Sequence, residues 1–180
     1  MKFKHYAATA VLAFGIIAPA TASANDERIA QFKGEWKVAD ASKAKKDIKA
    51  AVKSGAATAN FFIRGIAEGR LTDSTRLCDS ISFLYDGPDL GVKCDRSKDG
   101  FTHKLKAKGT KKNVLKKWDV TTSYPPSNKA KLKQTYQVRG EESKRVNTYV
   151  IADDGSMTMH VRIVSTSLDK DVTYKIKYVR

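Results

Sequence analysis

Three histidines and two cysteines are all that 180 residues offer in imidazole and thiol groups. One histidine, His5, falls in an N-terminal leader, leaving His103 and His160. There is no His-x-x-x-His, no Cys-x-x-Cys and no Gly-x-Ser-x-Gly, so the common zinc, redox and nucleophile-elbow arrangements are excluded. Beyond the leader no stretch approaches ~20 apolar residues, which excludes a membrane-spanning helix. Acids are also scarce, with 19 Asp and Glu against 34 Lys and Arg. The pairs Glu141-Glu142 and Asp153-Asp154 sit in turn-like stretches, where they shape turns rather than catalyse.

What is present begins with "MKFKHYAATAVLAFGIIAPATASAN": Lys2 and Lys4, an apolar run from Ala7 to Ala18, then Ala22-Ser23-Ala24. These are the three parts of a signal peptide, so residues 1–24 are read as a leader and 25–180 as one β-barrel domain in an exported, periplasmic protein. No cysteine follows the cleavage site, so no lipid anchor is expected there. The leader carries two lysines and no acid, which lowers the net charge from +15 to +13 over the remaining 156 residues. That suffices for one domain with a core. The charge attracts anions such as lipid head groups, lipopolysaccharide or nucleic acid without choosing among them.

Cys78 and Cys94 form an even count in an oxidising compartment, which favours a disulfide over two buried thiols. A hairpin turning at 86–89 would set Cys94 opposite Ile81. Cys78 then lies about 10 Å along its strand, at ~3.4 Å per residue, whereas a bridge needs Cα atoms within about 7 Å. A bulge or bend before Ile81 is therefore required.

From Asp79 onward apolar and polar residues alternate, broken by short turns such as "DGPD", "RSKDG", "GTKK", "PPSN", "RGEE", "DDGS" and "LDKD". With "FKGEWKV" this predicts about nine strands in an antiparallel up-and-down sheet. One face carries Ile81, Phe83, Tyr85, Phe101, His103, Leu105, Trp118, Val120, Tyr124, Leu132, Tyr136, Val138, Met157, Met159, Val161, Ile163, Val172, Tyr174, Ile176 and Tyr178. The other carries Lys104, Lys106, Lys117, Asp119, Lys129, Lys131, Lys133, Thr158, His160, Arg162, Lys175 and Lys177. A sheet with one dry face and no covering helical layer must curl, and closure into a barrel removes its edges. Between the first strand and the rest, Ala44, Ile48, Val52, Ala56, Ala59, Ile63 and Ile66 follow helical spacing. Gly55 interrupts this stretch, giving one bent helix or two short ones, and the apolar "NFFIRGI" is expected to lid the barrel mouth.

Gly34-Glu35-Trp36 on the first strand of such a barrel resembles the calycin superfamily, the lipocalins and their relatives. The resemblance implies that Trp36 plugs the closed end and that Arg180 packs across its ring. A helix between strands one and two is more similar to the intracellular fatty-acid-binding proteins. Those often end in an Arg-x-Tyr that holds a carboxylate; here "KIKYVR" has Ile176-x-Tyr178, so that clamp does not carry over. The pattern also resembles a group of proteobacterial periplasmic proteins of unassigned activity with a helix ending near "NFFIR".

The leading expectation is thus a non-enzymatic, monomeric barrel binding a lipid, fatty acid or isoprenoid-like molecule, with no cofactor or metal. Its lining would be Phe62, Ile63, Ile66, Phe83, Tyr85, His103, Trp118, Tyr136, Met159, Tyr174 and Tyr178. Tyr136, Tyr174 and Tyr178 would orient the ligand's polar end. The basic exterior would favour an anionic lipid or a membrane surface; the alternative is a filled barrel docking through its lysine-rich face to an acidic protein or to lipopolysaccharide. Nucleic acid is disfavoured, because the aromatic residues lie opposite the lysines instead of among them. A third reading uses His103 as a haem ligand or, with an interior tyrosine, as an acid–base pair; the bland counterpart is a hydrogen-bonded core histidine.

Overall fold

In the computed structural model, alternating burial runs through strand after strand, most clearly in Val172–Val179, where every second residue is buried. The structure describes residues 27–86, 89–95, 105–106, 111–115, 118–125 and 127–180. The expected leader and His103 lie outside these. The strands are β1 (Gly34–Val38), β2 (Ser80–Asp86), β3 (Asp89–Cys94), β4 (Leu105–Lys106), β5 (Lys111–Leu115), β6 (Trp118–Ser123), β7 (Lys131–Val138), β8 (Lys144–Ile151), β9 (Met157–Val164) and β10 (Val172–Val179). Between β1 and β2 lie α1 (Ala41–Ala56), a 3₁₀ turn (Phe61–Ile63) and α2 (Arg64–Ser74). Among the described residues ten strands, one more than expected, join in a single sheet of order β4-β3-β2-β1-β10-β9-β8-β7-β6-β5.

This order itself demands curvature. The end strands β4 and β5 are consecutive in the chain, and Lys106 and Lys111 are five peptide units apart, which span at most ~19 Å. Nine flat steps of ~4.8 Å would set the two edges roughly 43 Å apart. The sheet therefore curls back on itself, as the dry face predicts, and the fold is a mostly β, antiparallel up-and-down barrel.

Trp36 sits in the core cluster and ties several segments together. Trp36 is 1% exposed, its indole N–H donates to the Phe32 carbonyl at 2.8 Å, and the Arg180 guanidinium lies 4.4 Å from its ring centroid. Arg180 also donates to the carbonyls of Gln31 and Lys33, tying the chain's last residue across the plug. Gly34 sits at φ +115° with open space around its Cβ position, so a backbone only glycine adopts readily, not crowding, selects it. The hairpin pairs Ile81 with Cys94 as expected. The chain bends at Asp79, bringing Cys78 back to a Cα distance of 5.5 Å from Cys94, and the disulfide forms.

Helix α1 starts on Asp40, whose carboxylate accepts from the Lys43 N–H at 2.8 Å. Ala44, Ile48, Val52 and Ala56 are buried against the inner side of β10. Gly55 does not interrupt the helix. A Cβ there would lie 2.2 Å from Val172 Cγ2, so glycine is what lets α1 settle onto the strand. The break comes at 57–60, where the Asn60 side chain accepts from the Phe62 N–H at 3.1 Å and restarts the helix in a new phase. The apolar stripe consequently fails beyond Ala59: Phe61, Phe62, Ile63 and Ile66 are 77%, 88%, 38% and 60% exposed. Leu71 is the one buried residue of α2.

Candidate functional site

The barrel interior divides into one packed apolar cluster, which includes the buried face of α1, and a polar patch. In the cluster Phe83 is fully buried with its ring 5.4 Å from Phe32 and 5.3 Å from Tyr149, and Leu132, Met157 and Tyr178 are equally enclosed. The Tyr178 hydroxyl donates to the Cys78 carbonyl at 3.2 Å. It braces the disulfide loop and does not face a ligand space. Met159 is buried in the same wall.

The polar patch comes from β6, β7 and β8. Ile151 pairs with inward-facing Met157 across the β8–β9 turn, so Tyr149, Asn147 and Arg145 face inward and the more apolar Val146 and Val150 face out. Cross-strand pairing sets Arg145 beside Tyr136, and Asn147 beside Gln134, which in turn neighbours Thr122. Arg145 Nε donates to Asn147 Oδ1 at 2.9 Å, and Asn147 Nδ2 donates to the Tyr149 hydroxyl at 3.3 Å. The Tyr136 hydroxyl donates to Gln134 Oε1 at 2.8 Å. Gln134, itself fully buried, donates to Thr122 Oγ1 at 3.5 Å. Burying polar groups without partners is costly, and this chain of bonds is how the sheet accommodates them.

Arg145 also reaches out of the sheet. Its Nη1 donates to the Ser74 carbonyl at 2.5 Å, at the C-terminus of α2, where a cation is favoured. A guanidinium offers five N–H donors; Arg145 uses one on Asn147 and one on Ser74. Among the described residues no carboxylate pairs with it. The Tyr174 hydroxyl, one row away on β10, is buried without a hydrogen-bond partner among the described residues. Burial first of all pushes the Tyr136, Tyr149 and Tyr174 hydroxyls above the ordinary tyrosine range, with Arg145 pulling each back in smaller measure. They remain neutral donors around a half-buried positive charge. Such a group binds an oxyanion in fork geometry.

Of the residues expected to line a ligand space, Tyr136 and Tyr174 belong to this patch. Phe83, Met159 and Tyr178 belong to the packed wall, and Phe62, Ile63 and Ile66 lie on the outer surface of the helical segment. The side chains of Tyr85 and Trp118, like His103, lie outside the described residues. Arg145 was missed because β8 alternates against its own hydrophobicity; its register through the β8–β9 turn is the signal that finds it. The one cluster of metal-type side chains among the described residues, Cys78, Cys94 and Asp95, is the disulfide beside a carboxylate and offers no thiolate.

No protein-family model matches the chain, and no curated protein does. Among solved structures it is similar to an SAHS (abundant heat soluble) protein from Ramazzottius varieornatus, 13% identical over 83% of this chain and 95% of that one, with TM-score 0.50. It is also similar to the REP1-NXSQ fatty acid transporter, at 12% identity over 84% and 96% with TM-score 0.49. A third is a Schistosoma mansoni fatty-acid-binding protein in complex with arachidonic acid, at 17% identity over 85% and 98% with TM-score 0.46. At such identity the likeness to the first of these is one of fold alone; this chain itself is a calycin-like antiparallel barrel with its helical segment after the first strand.

Proposed function

We propose that this chain is a periplasmic, non-enzymatic binding protein for a small amphipathic molecule whose acidic head group sits on Arg145. The observation that carries the reading is a guanidinium directed inward which, among the described residues, is unpaired by any carboxylate and flanked by a Tyr174 hydroxyl without a hydrogen-bond partner. Its place is the role that the resemblance to fatty-acid-binding proteins gave to an Arg-x-Tyr on the last strand, here taken up from β8. The lipid, fatty acid or isoprenoid-like tail would lie toward the apolar inner rows of β9 and β10. Because Arg145 also holds the Ser74 carbonyl, an incoming carboxylate competes with the C-terminus of α2, which couples ligand binding to release of the helical segment. The leader and the disulfide support export to an oxidising compartment, in keeping with the resemblance to proteobacterial periplasmic proteins.

The test is binding of the fluorescent fatty acid cis-parinaric acid and of its methyl ester to the mature protein in 0.5 M NaCl, with Arg145→Met and Arg145→Lys beside the parent. A charged hydrogen-bonded pair is worth about 1.5–3 kcal/mol. The acid should therefore weaken roughly 10- to 100-fold in Arg145→Met, less in Arg145→Lys, while the ester stays unchanged. Equal binding of acid and ester by all three proteins would overturn the reading. No binding at all would favour the filled barrel, in which the complete enclosure of Phe83, Leu132 and Met157 continues to the mouth and the exterior docks to an anionic partner.

A further inference from the structure

The outer face of β7 to β10 carries a trough of about 610 Å³, on the opposite side of the sheet from Arg145. Its shape follows from side-chain length. Lys133, Thr148, His160 and Lys175 form one cross-strand row, and the next row is Thr135, Val146, Arg162 and Thr173. Long lysines on β7 and β10 make two walls, three inter-strand steps or roughly 14 Å apart. Val146 and Thr148 on β8 make a low floor, and His160 and Arg162 of β9 stand between it and the β10 wall. Arg162 is held by Asp171 at 2.5 Å and Lys177 by Asp154 at 3.2 Å, whereas Lys131, Lys133 and Lys175 have no ion pair among the described residues. The lining includes no acid.

We infer that this trough is a second binding site, independent of the barrel interior, for a chain-like polyanion bearing phosphate groups. A flat bilayer would touch the lysine tips and leave the floor unfilled; a thread of anions reaches both walls and the floor. Single-stranded nucleic acid fits less well, because the one tyrosine of the lining, Tyr174, is 7% exposed and directed inward, leaving no ring for bases to stack on. His160 reports occupancy. Partial burial, then Lys175 and Lys131, hold its imidazole below the ordinary histidine value. The groups facing it are Lys131 and Lys133 from β7, Arg162 from β9 and Lys175 from β10, with neutral Val146 and Thr148 from β8, so an added polyanion reverses the local field and raises that value.

The experiment is titration of the mature protein with short-chain inorganic polyphosphate at 0.15 M salt, followed by calorimetry and by NMR of the His160 ring. Lys133→Gln/Lys175→Gln should weaken binding at least 10-fold, and Lys45→Gln/Lys49→Gln on exposed positions of α1, an equal charge change, less than 2-fold. The His160 pKa should rise on binding. Equal losses in both double variants, an unmoved His160, or tighter binding to phosphatidylglycerol vesicles than to polyphosphate would each overturn the inference. Arg145→Met should leave this binding unchanged, which separates its failure from that of the interior site.

Discussion

Gly55→Ala is a perturbation whose sign tests how α1 sits on the barrel. On an open helix face the exchange stabilises by about 1 kcal/mol. Here the added Cβ would lie 2.2 Å from Val172 Cγ2 and 3.8 Å from Leu71 Cδ1, and Val172 is 1% exposed with a stiff χ1. Overpacking costs about 1–3 kcal/mol, and so short an approach belongs at the upper end. The net expectation is destabilisation of about 2 kcal/mol, or a Tm lowered by about 4–8 °C for a domain of this size. Val172→Ala alone removes two buried methyls and should cost about 2 kcal/mol. In the double variant the new methyl enters the vacated space, so the combined loss should fall short of the sum by about 1–3 kcal/mol. Urea unfolding of the four proteins, disulfide intact, measures this. A Gly55→Ala protein more stable than its parent, or two changes that simply add, would refute the close approach of α1 to β10.

The disulfide closes a loop with a sequence separation of 16, so Cys78→Ser/Cys94→Ser should lose about 3 kcal/mol, seen as a lower urea midpoint that no longer responds to reductant. Arg180→Leu removes the guanidinium from the face of Trp36 and its bonds to two carbonyls; a loss of about 1 kcal/mol is expected, with a shift in Trp36 fluorescence, and an unchanged midpoint would refute its role as a latch. Asp154 is held down to about 2, first by the Ser156 hydroxyl, then by the Ser156 backbone N–H and Lys177. Its folded-state value lies below the unfolded one, so its stabilising contribution is present above pH ~4 and lost as the pH falls toward ~2. Asp154→Asn should therefore differ from the parent at neutral pH and converge with it in acid, which denaturant midpoints across that window would show.

Much of the fold was legible because strands write their faces at a period of two. Among the described residues, the inward set of Ile81, Phe83, Leu132, Met157, Val161 and Tyr178, the outer Lys131, Lys133, Lys175 and Lys177 and the Ile81–Cys94 pairing follow from parity and turn position, whereas the Trp36–Arg180 contact was implied by the calycin resemblance. The helical segment was legible only as far as Ala59. Periodicity assumes one continuous helix, and the Asn60 cap resets the phase, so Ile63 and Ile66 leave the stripe. The candidate site was half legible: Tyr136 and Tyr174 are tyrosines on the dry face, but Arg145 looks like surface charge until the register of β8 is known.

By itself the sequence determined the barrel's alternation, the even pair of cysteines, the basic exterior and a leader-like N-terminus, because these depend on residue type and local spacing. Only the tertiary structure decided that Gly55 marks a close approach, not a break, that the Tyr178 hydroxyl is spent on Cys78, and that an arginine stands inside the barrel. Those depend on which strands lie side by side. A charge acquires its meaning from the groups across the sheet, many residues away in the chain, and no local pattern records them.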